Sequence, residues 1–176
     1  MDLDARRYPV GEFRDEAIDE GRLGALIDEM AALPGLVRRA VDGWGDERLD
    51  RPYREGGWTV RQLLHHLPDS HMHAYVRMKL ALTQSGTGIM TYDEKLWSGL
   101  PDARSAPVEM SLALLEALHE RWTTLLRAYD LDTLRAHNYR HPELGVVTVD
   151  RAIAMYAWHG RHHLAHIHGA AGAAAA

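Results

Sequence analysis

The chain predicts an all-α fold, a four-helix bundle with a long crossover between its second and third helices. Three observations carry this reading. Apolar residues recur at three- and four-residue spacing in four separate stretches. Turn-forming glycines and prolines separate those stretches. The gap between the second and third stretch, residues 85–107, is too long for a simple turn.

Residues 1–17 read as an irregular arm in which Tyr8-Pro9-Val10-Gly11 is turn chemistry. A first helix begins near Ile18, with Leu23, Leu26, Ile27, Met30, Leu33, Val37 and Val41 on one face. Pro34-Gly35 should kink or split it, and Asp42-Gly43-Trp44-Gly45 ends it. Arg48 to Trp58 reads as a loop, and Thr59 suits the N-cap of the second helix. That helix carries Val60, Leu63, Leu64, Leu67, Ala74, Tyr75, Met78 and Leu82 on one face and is interrupted by Pro68. The crossover follows, with Tyr92-Asp93-Glu94-Lys95-Leu96-Trp97 as its most polar-aromatic part. A third helix is predicted from Val108 to Tyr129, on Leu112, Leu115, Leu118, Trp122, Leu125 and Leu126. Residues 131–147 read as a loop with a short hairpin around Pro142-Glu143-Leu144-Gly145. Thr148 or Asp150 opens a fourth helix that runs to about His168. One domain is expected over 1–168, followed by a low-complexity alanine-glycine tail at 169–176.

Composition narrows the function. A length of 176 residues suits one buried core. A net charge of −5 without a basic patch argues against nucleic-acid binding. The absence of cysteine excludes disulfides, thiolate ligands and a cysteine nucleophile. No signal peptide is visible, and no apolar run approaches the roughly 18 residues of a membrane span. The expectation is a cytoplasmic protein acting on a small-molecule substrate.

The histidines are the strongest chemical signal. His159, His162, His163, His166 and His168 form one cluster, and His65, His66, His71 and His73 another. Neutral imidazole is the commonest transition-metal ligand. On the last helix, His159/His163 and His162/His166 are i, i+4 pairs. Val149, Ile153, Tyr156, Leu164 and Ile167 define its apolar side. His159 and His163 border that side, whereas His162 lies furthest towards the polar side, with His166 between. His159 and His163 are therefore the pair expected to face inwards. An open catalytic site takes three protein ligands, and the second helix is the natural donor of the third. There the helical phase is ambiguous: His71 lies at the centre of the apolar face, the off-centre His66 could point sideways at the neighbouring helix, and distortion at Pro68 leaves both open. The competing readings are a hydrogen-bonded histidine network and surface histidines.

Longer motifs add to this. Tyr53-Arg54-Glu55-Gly56-Gly57-Trp58-Thr59-Val60-Arg61-Gln62, His65-His66-Leu67, Asp69-Ser70-His71-Met72, Tyr92-Asp93-Glu94-Lys95, His141-Pro142-Glu143 and the segment from Trp158 to Ile167 resemble the YfiT branch of the DinB superfamily. The resemblance extends over nearly the whole chain. It implies a four-helix bundle and a divalent-metal enzyme, with His66, His159 and His163 as the ligands. The choice of His66 over His71 rests on that resemblance. Pro68 departs from the pattern, which usually has a small helix former there.

The resemblance also implies two chemistries at one site. The leading expectation is transfer of a low-molecular-weight thiol such as bacillithiol, as cosubstrate, to small electrophiles. The alternative is hydrolysis by metal-activated water, and a non-catalytic metal-binding stress-response module is a third reading. Zn or Ni is the expected ion, with Mn or Fe as alternatives. Arg54 is a candidate to grip a substrate carboxylate, and Tyr92 to orient a metal-bound group. Glu55 and Asp69 are candidates for a general base or a partner of a ligand imidazole. Their bland alternatives are a surface ion pair for Arg54, core packing for Tyr92, helix-terminal charge for Glu55 and a solvated face for Asp69. Trp58 and Trp158 are expected to pack. His162 and His166 are candidates for partners of the ligand imidazoles, with solvent-exposed histidine as the leading reading. A homodimer is the expected assembly.

Overall fold

The computed structural model describes residues 6–172. Four long helices dominate it: α1 (Glu20–Ala40), α3 (Val60–Thr83), α6 (Val108–Leu126) and α8 (Val149–Gly172). Short elements fill the connections. They are α2 (Asp46–Leu49), β1 (Thr87–Gly88), α4 (Glu94–Ser98), α5 (Pro101–Ser105), α7 (Leu131–Ala136), β2 (Asn138–His141) and β3 (Gly145–Thr148). The bundle matches the expected fold class, with one small sheet added. β1 runs parallel to β2, and β2 pairs antiparallel with β3, with Tyr139 opposite Val147. The hairpin expected at Pro142-Glu143-Leu144-Gly145 is its β2–β3 turn, where Gly145 adopts φ +70°. The third helix ends at Leu126, three residues before the predicted Tyr129.

Local chemistry sets the helix ends. Asp19 caps α1 by accepting from the Arg22 N–H. Thr59 caps α3 in a full capping box with Gln62. Neither internal proline breaks its helix: α1 continues through Pro34 and α3 through Pro68. A missing N–H costs one hydrogen bond, and burial of both flanking apolar faces outweighs that cost.

Helix α1 packs mainly against α8 and α6, and α3 against the same two. The first and second long helices are thus diagonal to one another. Two apolar clusters fill the interior. One gathers Leu26, Met30, Met78, Trp122, Leu126, Ile153 and Tyr156. The other gathers Leu33, Val37, Leu63, Leu64, Leu67, Leu112, Leu115 and Ile167. Between them every long helix but α1 contributes imidazoles: His66 and His71, His119, and His159 and His163. The core is therefore split by a polar layer of histidines.

Arg61 ties the crossover to the bundle. Its guanidinium is buried and donates to Asp50 and Asp46 at 2.6 Å each and to the Ala106 carbonyl at 3.0 Å. Asp46 stays exposed and Asp50 is half exposed, so deleting Arg61 removes bonds without stranding a buried carboxylate. Arg61→Ala is expected to cost about 2–3 kcal/mol, the sum of two or three charged hydrogen bonds less resolvation of the aspartates. Urea denaturation reads this directly. A loss below about 0.5 kcal/mol, the range of an ordinary surface substitution, would refute the tie.

Candidate metal centre

Three imidazoles converge where α3 meets α8. The Nε2 atom of His159 lies 3.4 Å from that of His66 and 3.1 Å from that of His163. His159 and His163 are one turn apart on α8, and His66 faces them across the interface. The three ligand nitrogens all lie within 4.8 Å of one another. Nitrogens about 2.0–2.1 Å from a tetrahedral ion sit about 3.3 Å apart. The spacing therefore fits a first-row divalent ion.

Protonation fits as well. Burial pushes His66 down to about 4, with help from His162 nearby. Burial also holds His159 and His163 well below the ordinary histidine range, with His66, His162 and His166 adding to both. At neutral pH all three are uncharged and carry a lone pair, as a ligand must.

The cluster forms the floor of a cavity of about 670 Å³. The loop before α3 builds one wall. Glu55-Gly56 makes a tight turn closed by a bond from the Gly57 N–H to the Arg54 carbonyl, 3.0 Å, with Gly56 at φ +64°. A β-carbon on Gly57 would approach Arg54 Cγ to 2.7 Å, so glycine lets the chain double back there. The turn aims Arg54 and Trp58 into the cavity. Trp58 lies against His66, with ring centroids 4.8 Å apart. Arg7, Arg77 and Lys95 add three cations to the lining, against the carboxylates Glu94 and Glu143. The Arg54 Nε is buried and has no hydrogen-bond partner among the described residues.

Tyr92 reaches the cavity from the crossover, stacks on His73 at 4.3 Å and meets Trp97 at a tilt, 4.6 Å between centroids. Burial raises the Tyr92 phenol, with Ser70 pulling the other way, and burial raises Tyr156 too. Both stay protonated and offer O–H donors to the cavity.

The remaining predicted residues fall elsewhere. Glu55 is exposed on its turn and does not line the cavity. Asp69 is half-buried and also outside the lining, and burial with Asp102 nearby raises its carboxyl to about 6. His71 is fully buried beneath the cluster, where its Nε2 meets His159 Nδ1 at 2.9 Å. The centre of the apolar face thus points into the core, while His66, off that centre, lines the cavity. His162 and His166 are buried rather than at the surface, because the N-terminal arm covers that side of α8. His166 Nε2 is 3.1 Å from the Arg6 carbonyl, and Tyr8 lies 5.9 Å from the His162 ring. Trp158 stacks on His162. His65 is structural, bonded to Ser111 Oγ at 2.7 Å.

Sequence reasoning missed His119 and Arg77, and gave no individual role to Glu94, His141 and Glu143 within their motifs. His119 is fully buried and sits in phase with Leu115 and Trp122, so a polar residue on an apolar stripe was its signal. His141 and Glu143 line the cavity within the motif His141-Pro142-Glu143. Arg77 gave no signal. It is held by a bond to the Met90 carbonyl, 2.9 Å, that only the folded crossover supplies.

Comparison with known proteins places this geometry. The model of the DinB superfamily matches residues 29–167. A protein of Oceanobacillus iheyensis named "Putative metal-dependent hydrolase" is 49% identical over 163 residues, covering 92% of this chain and 93% of its own. A Bacillus cereus protein of the same name is 46% identical over 162 residues, covering 92% of each. Among solved structures, YfiT from Bacillus subtilis, described as "a probable metal-dependent hydrolase with an unusual four-helix bundle topology", superimposes with a TM-score of 0.93. It is 41% identical, and the match covers 97% of this chain and 98% of that one.

Proposed function

The chain belongs to the DinB superfamily, and from that premise we propose that it is a divalent-metal-dependent hydrolase acting on a small anionic substrate. His66, His159 and His163 hold the ion in this reading. The observation that carries it is the convergence of three uncharged imidazoles, at 3.1 and 3.4 Å, on the floor of a cavity lined by four cations. The names of its relatives agree with it. When bound, the ion supplies Lewis acidity and lowers the pKa of a water or thiol ligand towards neutrality.

The chain's own residues do the rest. Arg54, whose buried Nε–H lacks a partner among the described residues, grips a substrate carboxylate as a planar fork. Arg77, fixed on the Met90 carbonyl, adds a second cation on the crossover side. Tyr92 and Tyr156 donate hydrogen bonds that orient the substrate. Trp58 shields His66 from bulk water. Glu94 and Glu143 are the carboxylates that line the cavity, so proton transfer falls to them rather than to Glu55.

Thiol transfer is a second reading with its own support. The chain has no cysteine, so a thiol must arrive from solution. A cavity of about 670 Å³ has room for a thiol cosubstrate beside an electrophile, and its cations suit the carboxylates of a bacillithiol-like thiol.

The test loads purified protein with Zn²⁺, Ni²⁺ or Mn²⁺ and assays carboxylated and neutral esters and amides, then an electrophile with a bacillithiol-like thiol. Hydrolysis that needs the ion and favours carboxylated substrates is expected. Arg54→Ala should raise KM for those substrates about 10-fold or more, the worth of a charged hydrogen bond, with kcat little changed. Turnover that survives a chelator would end the metal-dependent reading. Metal-dependent turnover only with the thiol would favour transfer over hydrolysis.

A further inference from the structure

We propose that His71 and His119 are positioning residues of the metal centre, which fix the proton of His159 on Nδ1 and leave its Nε2 bare for the ion, and that His166 does the same for His163. The proposal rests on the reading of His159 and His163 as ligands.

The argument starts at Pro34. Having no N–H, it leaves the carbonyl of Met30, four residues earlier in α1, without its helical donor. His119 fills that gap, its Nδ1 lying 2.6 Å from the Met30 oxygen. A carbonyl only accepts, so His119 Nδ1 carries the proton. A neutral imidazole has one N–H, so His119 Nε2 is an acceptor. His71 Nδ1 lies 2.7 Å from it and must donate. His71 Nε2 is then an acceptor in turn, and His159 Nδ1, 2.9 Å away, donates to it. The one proton of His159 is thereby used on the far side of its ring. Its Nε2 faces His66 and His163 as a lone pair. The chain crosses the core from α1 through α6 and α3 to α8. His71 and His119 are both fully buried, where an imidazole is uncharged.

A second arm reaches the same result from another carbonyl. His166 Nε2 lies 3.1 Å from the Arg6 oxygen and 3.3 Å from that of Arg7, so it carries the proton. Its Nδ1 accepts from His163 Nδ1 at 3.4 Å, which frees His163 Nε2. The nitrogens of His162, His163 and His166 also lie within 4.8 Å of one another. A second ion there would need His163 Nδ1 bare and would break this arm.

Two-bond ¹H–¹⁵N spectra of the metal-free, ¹⁵N-labelled full chain test the tautomers. Protons are expected on Nδ1 of His159, His163, His71 and His119 and on Nε2 of His166. A proton on Nε2 of His159 would overturn the main chain, and one on Nε2 of His163 the second arm. Zn²⁺ affinity, read by competition with a chromophoric chelator, tests the consequence. His119→Leu should weaken binding about 10–100-fold, the usual effect of losing a partner of a ligand imidazole. His119→Gln should restore it to within a few-fold, because an amide can accept from His71 and donate to Met30. A folded His119→Leu that binds Zn²⁺ as tightly as the parent, or a parent that binds two equivalents through His163 Nδ1, counts against the proposal. If the parent binds no ion, the metal reading fails, and the tautomers still decide the proposal.

Discussion

His163→Ala is expected to abolish stoichiometric binding of a divalent ion, while His168→Ala leaves it unchanged. Both substitutions remove an imidazole from the same helix within a few residues. Only His163 points its Nε2 at His159, 3.1 Å away; His168 is exposed. Removing one of the three proposed ligands leaves a site that can no longer compete with solvent. The loss should exceed the roughly 10–100-fold typical of an outer partner, and metal-dependent turnover should fall with it. Metal analysis of the purified variants after dialysis, with circular dichroism to establish folding, makes the comparison. Stoichiometric metal retained in a folded His163→Ala would remove His163 from the ligand set. Metal lost equally from both variants would mean that the cluster binds by histidine content rather than by geometry.

Acidifying the metal-free protein from pH 6.5 to pH 4 is expected to unfold it. The layer that divides the core consists of histidines kept uncharged by burial. His66 and His119 are each lowered from an ordinary value near 6.5 to about 4. The unfolded chain therefore binds more protons than the folded one throughout this window, and stability rises with pH. The contribution is fully present above pH 6.5 and is lost as pH falls towards 4. Each group costs about 1.4 kcal/mol per pH unit, or roughly 3 kcal/mol across the window. His71, His159 and His163 act in the same direction. Two such groups already match the lower end of the roughly 5–15 kcal/mol that stabilises a typical domain. Urea melts at steps of half a pH unit would reveal the slope. A stability that stays flat between pH 6.5 and 4.5 would mean that these imidazoles ionise freely, and the buried polar layer would have to be given up.

Much of the bundle could be read from the chain because its signals are local. Period and capping need only neighbours in sequence, so the four helices and the Thr59 cap of α3 follow from residues a turn apart. Of the kink or split expected at Pro34, the split does not occur, and α3 likewise continues through Pro68, since tertiary burial holds both helices together across the missing bonds. Helical phase brought His159 and His163 to the inner border of α8, where the structure also has them. The same method failed on His162 and His166. A wheel knows only its own helix, and the arm that buries these two comes from the opposite end of the chain.

The second helix shows the limit most clearly. Phase alone left His66 and His71 both open, and only the resemblance chose between them. Depth is what separates them: His71 is fully buried against His119, whereas His66 lines the cavity. What the sequence determined by itself was the helices, the fold class and the inward pair on α8, all set by periodicity and local hydrogen bonding. Only the tertiary structure decided which imidazoles share a floor, which cations line the cavity, and that Pro34 frees the carbonyl on which a chain of three histidines ends. Those are relations between side chains about 50 to 90 residues apart, and distance along a chain carries no record of distance in space until the core has packed.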